Sequence, residues 1–152
     1  MIARVLRLLR PLRYVWALPN TLVGLIVALL ALLAGGRTRR KSGVLEVQGG
    51  APAWLLRHMV PLRGGAAAIT LGHVIIARDE RELERTRAHE RVHVRQAECW
   101  GPLFIPAYVV ASLIAVLRGG NAYRDNVFEV EAREGEDRKP LTDYRGWRDR
   151  AA

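Results

Sequence analysis

The sequence predicts an α+β fold that is mostly helical, with a small sheet whose edge strand precedes a metal-binding helix, and with an apolar helix near the N terminus. Three observations carry this prediction. A long run of helix formers contains the motif His89-Glu90-x-x-His93, two apolar runs have helical length, and short stretches of β-branched residues lie between glycines.

The composition limits the protein to one domain and a basic surface. The chain has 152 residues and a net charge of +9, so membrane phospholipid and nucleic acid are both candidate partners. Cys99 is the only cysteine, which excludes an intrachain disulfide and a Cys-based zinc site. We divide the chain into a basic and apolar N-terminal segment (1–36), a metal-binding domain (37–135) and a charged C-terminal tail (136–152).

The N-terminal segment combines arginines with apolar residues. Residues 2–13 repeat arginine every three positions among leucines, a basic amphipathic pattern typical of segments that lie on anionic lipid; a simple basic leader is the alternative. Residues 16–34 carry no charge, and the uninterrupted part after Pro19-Asn20 is too short for an ordinary membrane span. A membrane-inserted helix, a buried core helix and a signal peptide therefore stay open, and we favour membrane association.

The middle of the chain predicts a small sheet. Residues 36–43 form a basic linker, residues 44–48 alternate like a strand, and residues 53–59 have the composition of a short helical turn. Residues 68–77 contain two β-rich runs around Gly72-His73. We predict one strand with a glycine irregularity there, in preference to a tight hairpin.

The metal-binding helix has clear ends. Asp79 followed by Glu82 resembles a capping box, and the next residues are strong helix formers. Gly101-Pro102 stops a helix, so we predict that this one ends near Trp100.

The motif inside this helix predicts a metal site. Residues four apart lie one turn above each other, so His89 and His93 can direct two imidazoles at one ion. Glu90 lies beside the first ligand, where a carboxylate can take a proton from a water activated by the metal. A solvated helix with two incidental histidines is the alternative.

A third ligand is required for a catalytic site. Residues 103–117 read as a core helix behind the metal helix, with insertion into lipid as the alternative, and the candidates follow it. Asp125-Asn126 resembles a helix cap, which places Glu129 and Glu131 on a new helix but on different faces. We choose Glu129.

These residues together resemble the gluzincin metallopeptidases, and most of all the membrane zinc endopeptidases of the CAAX-protease type. The resemblance covers residues 66–133 and includes the His-Glu-x-x-His helix and the later Glu129 and Ala132, whereas Arg133 stands where that family has aspartate. It implies one Zn²⁺ ion held by His89, His93 and Glu129, with peptide bonds as the substrate. An exposed strand beside the site would receive the peptide.

Further polar residues are candidates for supporting roles. Gln96 and Asn126 are suited to hydrogen bonding behind the ligands, and Tyr123, Arg124 and His73 are candidate donors to an oxyanion. Each of them also has an ordinary structural role open to it, as a packed tyrosine, a turn histidine or a surface polar group.

Two other functions compete with a peptidase. The first is a noncatalytic membrane-associated protein that keeps the metal helix for binding or as a scaffold, and Arg91 within the motif favours it. The second is nucleic-acid binding, which we do not expect because no aromatic stacking platform accompanies the arginines. We predict a bacterial protein associated with the cytoplasmic membrane, a soluble form remaining open, and Fe, Co or Mn are alternatives to zinc.

Overall fold

The computed structural model describes residues 10–58 and 65–137. The helices are α1 (Arg10–Trp16), α2 (Leu18–Leu33), α3 (Gly50–His58), α4 (Glu80–Trp100), α5 (Phe104–Leu117) and α6 (Val127–Asp137), and a single 3-10 turn, Gly101–Leu103, joins α4 to α5. The strands are β1 (Arg37–Lys41), β2 (Val44–Gln48), β3 (Ala68–Leu71) and β4 (Val74–Ala77). This is the predicted α+β, mostly helical fold with an apolar helix near the N terminus.

The strands form one mixed sheet in the order β1-β2-β4-β3. β2 and β4 pair in parallel, and the two outer strands pair with them in antiparallel fashion. The predicted edge strand is β3, whereas β4, which leads directly into α4, lies inside the sheet. β2 has the predicted bounds of residues 44–48.

Two predictions for this sheet are wrong. Residues 37–41 are not a linker but β1, whose five residues are all exposed, so the chain lacks the alternation that would have revealed a strand. Residues 68–77 are not one strand but a hairpin, with Leu71 opposite Val74 and Gly72 at a φ of 61°. A Cβ at Gly72 would lie 2.3 Å from Thr21 Oγ1, so the close approach of α2 also requires glycine there.

The sheet is covered on both faces. One cluster joins α2 and α3 to the sheet and includes Ala28, Leu56 and Ile76, and a second joins α4 to the opposite face and includes Ile75 and Leu83. Ile75 and Ile76 point to opposite faces because side chains alternate along a strand. The resulting layers are helices, sheet and α4, with α5 and α6 packed beyond α4 through Phe104 and Phe128.

The predicted ends of α4 are confirmed. The Asp79 side chain accepts a hydrogen bond from the Glu82 backbone N–H at 2.9 Å, which caps the first turn. At the other end Gly101 has a φ of 55°, in the left-handed region, and the Trp16 ring lies where a Cβ would be. The chain therefore changes direction between α4 and α5.

The apolar helices expose much of their surface. α5 was predicted as a core helix, but among its residues only Phe104 and Ala115 are buried. In the described part of the chain, one helical run, Glu80–Leu117, is long and apolar enough to cross a membrane by length and composition, with a mean hydropathy of 1.9 in its best window. Of the predicted amphipathic segment at residues 2–13, residues 2–9 lie outside the described residues and residues 10–13 belong to α1; the tail after residue 137 also lies outside them.

Candidate metal centre

His89, His93 and Glu129 converge on one point in the interior, between α4 and α6. Their ligand atoms all lie within 4.8 Å of one another, and all three residues are buried. His89 Nε2 lies 3.1 Å from His93 Nε2. Glu129 places one carboxylate oxygen 3.1 Å from His89 Nε2 and the other 3.2 Å from His93 Nε2. The structure thus brings together the three residues predicted as ligands.

The hydrogen bonds of Gln96 define the tautomer of His93. The Gln96 amide donates to the Phe128 carbonyl at 3.1 Å and to Glu131 Oε2 at 2.8 Å, so its carbonyl oxygen must face the imidazole. His93 Nδ1 therefore donates to Gln96 Oε1, at 2.7 Å. This leaves a lone pair on His93 Nε2, the atom that points into the cluster.

His89 also has a polar partner at its Nδ1, in this case a carboxylate. Glu136 Oε2 lies 3.6 Å from His89 Nδ1, and a carboxylate there favours the tautomer with its proton on Nδ1. His89 Nε2 then also presents a lone pair to the cluster. In the family that the chain resembles, a carboxylate occupies the position of Arg133. In this chain the carboxylate near the first histidine comes instead from Glu136, three residues later on α6.

The donor set fits a divalent metal ion. Two imidazole nitrogens with free lone pairs and one carboxylate are the ligands that zinc accepts in catalytic sites, and iron, cobalt and manganese accept them too. Burial opposes the negative charge of Glu129, but when the imidazoles hold protons on Nε2 their hydrogen bonds outweigh it, so the pKa of this carboxyl lies well below its usual value. A metal ion at the same point would replace those protons. Glu129 is therefore ionised at neutral pH, as a metal ligand must be.

Two tyrosines complete the surroundings of Glu129. Tyr108, from α5, donates its hydroxyl to Glu129 Oε1 at 2.8 Å. Tyr123 lies near Glu129, and burial together with that carboxylate raises the pKa of the Tyr123 phenol. Tyr123 was predicted to lie near the site; Tyr108 was missed, because an aromatic residue within an apolar run gives no signal of its own.

Glu90 faces the edge strand of the sheet. Thr70 Oγ1, on β3, donates to Glu90 Oε2 at 2.7 Å. Glu90 is 5% exposed, and burial raises the pKa of its carboxyl, although His93 and Thr70 partly offset that effect. A carboxyl whose pKa is raised toward neutrality is suited to accept a proton and then release it. Thr70 was not predicted, because only the packing of the hairpin on α4 brings it there.

The hydrogen bonds that the structure gives for the side chains of His73 and Asn126 go to groups other than the three ligand side chains. His73 is in the hairpin turn, where its Nδ1 lies 3.2 Å from Thr21 Oγ1 and its Nε2 lies 3.1 Å from Glu98 Oε1. Asn126 caps α6 by accepting the Phe128 N–H at 2.9 Å. Arg124 contributes its backbone carbonyl to a hydrogen bond from Arg133.

The opposite side of α4 carries a second polar cluster, which the sequence analysis missed. Glu46, on β2, is 1% exposed and accepts hydrogen bonds from three guanidinium groups. Arg87 and Arg91 each approach it to 3.1 Å, and Arg39 to 3.3 Å. Arg91 thus points at the sheet and away from the histidines. Arg87 and Arg91 are four positions apart, as the two histidines are, and this spacing was the signal available in the sequence.

Comparison with known proteins yields no match to this chain, whether among protein-family models, curated proteins or solved structures.

Proposed function

We propose that this protein is a zinc-dependent metallopeptidase-like hydrolase. The observation that carries the proposal is the convergence of His89, His93 and Glu129 with their lone pairs directed at one point. Zn²⁺ bound there would supply a Lewis acid that polarises a water molecule and the carbonyl of a peptide bond.

Residues of the chain would then transfer the protons of the hydrolysis reaction. The water oxygen forms a bond to the carbonyl carbon of the peptide, and Glu90 accepts the proton that the water loses. As the bond between carbon and nitrogen breaks, Glu90 returns a proton to the leaving amine. Thr70 holds the carboxylate of Glu90 in place through its hydrogen bond of 2.7 Å.

The free edge of β3 supports a peptide substrate. Arg78 N–H donates to the Ala67 carbonyl at 3.0 Å, so the alternation of an antiparallel ladder directs the backbone groups of Ala68 and Thr70 away from β4. In the described residues no further strand pairs with this edge. An extended peptide that bound to Ala68 and Thr70 would run beside Glu90.

The finer proposal for location is the cytoplasmic membrane. Its support is the exposure of large apolar residues on α2 and α5, which is unusual for a protein surrounded by water.

The test is a cleavage assay with the zinc-loaded full chain and a library of fluorogenic peptides. We expect Glu90→Gln to keep its zinc and to lose rate by about 10²-fold or more. The matched control is Glu84→Gln, on the exposed surface of the same helix, which should leave the rate unchanged. Zinc-loaded wild type with no more cleavage than Glu90→Gln would instead favour the noncatalytic metal-binding alternative.

A further inference from the structure

In α2 the small residues are buried and the large apolar residues are exposed. This is the reverse of an ordinary helix in a water-soluble protein. Its buried face consists of Asn20, Gly24, Ala28 and Ala31. A helix in water normally buries its largest apolar residues. Here they are between 43% and 77% exposed: Leu18, Leu22, Val23, Leu25, Ile26, Leu29, Leu30, Leu32 and Leu33.

The polar groups of α2 are turned inward as well. Asn20 Nδ2 donates to the Gly101 carbonyl at 2.8 Å, and Thr21 Oγ1 donates to the Ala17 carbonyl at 3.0 Å. The outward surface of α2 therefore presents apolar side chains and no hydrogen-bonding group to its surroundings. An inner face of small residues that also holds the polar groups, together with an outer face of large apolar residues, suits a helix whose solvent is hydrocarbon.

α5 repeats this arrangement. Its only polar side chains are Tyr108 and Ser112, and both face α6. Tyr108 donates to Glu129, and Ser112 Oγ accepts from Asn126 Nδ2 at 2.8 Å. The outward residues are apolar and at least 41% exposed: Val109, Val110, Leu113, Ile114, Val116 and Leu117.

Charge at the ends of these helices indicates the chemistry of the partner. β1 follows α2 after two glycines and is fully exposed, with Arg37 and Arg40 among its basic residues. Arg118 follows α5 directly and is exposed. Basic residues beside apolar helices match the acyl chains and phosphates of anionic lipid. A second copy of this equally basic chain would bring like charges together.

The packing of α2 decides how it can enter a bilayer. α2 lies along the sheet, with Gly24 against Val74 and Ala31 beside Gly50, so it cannot cross a membrane without drawing the charged β1 into hydrocarbon. By length, the 16 residues of α2 extend about 24 Å and the 14 residues of α5 about 21 Å. Both are shorter than a hydrocarbon core of roughly 30 Å.

We infer that α2 and α5 insert into one leaflet of an anionic bilayer and do not cross it. The bend at Gly101 separates α5 from α4, so the helical run that is long enough to span is not one straight helix. This inference does not depend on the metal centre and stands or falls separately from the proposed activity.

The first experiment is flotation of the purified full chain with vesicles of phosphatidylcholine, with and without phosphatidylglycerol. Ile26→Asp and Leu113→Asp should each weaken binding by about tenfold or more. Replacing both Arg37 and Arg40 by glutamine should weaken binding only to the anionic vesicles, by about fivefold per arginine. Val130→Asp, which adds the same charge at an exposed apolar position of α6, is the matched control and should have no effect.

Two results would overturn the assignment of this surface. One is equal loss of binding in all three aspartate variants. The other is a wild-type dimer without lipid that Ile26→Asp or Leu113→Asp converts to monomer while vesicle binding is unchanged. Circular dichroism confirms that each variant is folded.

The second experiment tests one-leaflet insertion. Single cysteines replace Leu18, Leu33, Leu103 or Leu117 in a Cys99→Ser background of the protein reconstituted into sealed vesicles. The residues at the two ends of each helix should react with a membrane-impermeant thiol reagent from the same side. Labelling of the two ends of either helix from opposite sides would show a spanning helix and contradict the inference.

Discussion

α4 contacts a buried glutamate on each of two faces, and the groups that surround the carboxylate differ between the two faces. On one face Glu46 is held by Arg87, Arg91 and Arg39, whose guanidinium groups are donors only and offer no lone pair to a metal ion. On the other face Glu129 meets His89 and His93, whose imidazoles can present lone pairs. The first cluster is complete within the protein. The second has the donor atoms that a divalent cation would join.

This difference gives the two faces different tasks. The guanidinium face fixes the rotation of α4 against the sheet, since Arg91 also donates to the Lys41 carbonyl at 2.6 Å. With that rotation fixed, the histidines point at α6 and Glu90 points at β3. Arg91, which seemed to argue against a working metal site when only the sequence was considered, belongs to the structural face.

The largest effect is expected from Glu46→Ala. It leaves two buried guanidiniums without their carboxylate, and we expect the free energy of unfolding to fall by about 3 to 5 kcal/mol. Arg85→Ala is the control, because the Arg85 to Glu82 pair is on the surface, with the Arg85 side chain 63% exposed, and should cost less than about 1 kcal/mol. Urea denaturation measures both. Equal, small effects would remove the distinction between the buried and the exposed pair.

The guanidinium face should also respond to acid. Burial raises the pKa of the Glu46 carboxyl, but hydrogen bonds from Arg87 and Arg91 outweigh this, so its pKa lies below the ordinary value of 4.5. A lowered folded-state pKa gives a stabilisation that is fully present above that ordinary value and is lost as the pH falls through the folded-state pKa. The difference in unfolding free energy between wild type and Glu46→Gln should therefore be constant above about pH 5.5 and shrink in acid. A difference that grows in acid would contradict this account.

The histidine face should respond to Gln96→Leu through its affinity for metal. Leucine removes the acceptor that keeps the proton on His93 Nδ1, and loss of such an outer hydrogen bond costs about 10- to 100-fold in affinity. Competition with a chromogenic chelator measures this directly, and the visible spectrum of the Co²⁺ form reports ligand geometry. Glu131→Ala, which leaves the Gln96 carbonyl in place as the acceptor, should keep most of the affinity. If Gln96→Leu also bound zinc like wild type, the proposed control of the tautomer would be wrong.

The smallest effect is expected from Thr70→Val, which preserves shape and removes the hydroxyl that donates to Glu90. Loss of one hydrogen bond to a charged group is worth about 1.5 kcal/mol, or roughly tenfold in rate. The loss should fall on kcat more than on KM, and the acid limb of the pH profile should move to higher pH, because the ionised form of Glu90 is less stabilised. Thr70→Ser should behave like wild type. A change in KM alone would assign Thr70 to substrate binding.

The elements defined by local signals were predictable from sequence. Asp79, Glu82 and Gly101 mark the ends of α4, and Asn126 caps α6 as expected, because caps depend on residues only a few positions apart. The histidine spacing also followed from helix geometry, which further required that only one of Glu129 and Glu131 join the cluster but did not select between them. Glu131, on another face of α6, instead accepts a hydrogen bond from Gln96.

Contacts between distant elements were not predictable. The site gains three residues only when the hairpin, α5 and α6 pack on α4: Thr70, Tyr108 and Glu136. No local sequence pattern predicts them. β1 was missed because an exposed edge strand has no buried face and so shows no alternation. His73 was considered for the site because it is a histidine near the motif, but the hairpin turn directs it toward Thr21 and Glu98 instead.

The central claim is most directly tested by the metal content of the protein purified without chelator. We predict about one zinc ion per chain in wild type and in Glu131→Ala. We predict none in His93→Ala and Glu129→Ala, with circular dichroism showing that these variants are folded. Wild type that stays free of metal after incubation with zinc, or that binds it equally well without Glu129, would contradict the assignment of this cluster as a metal centre.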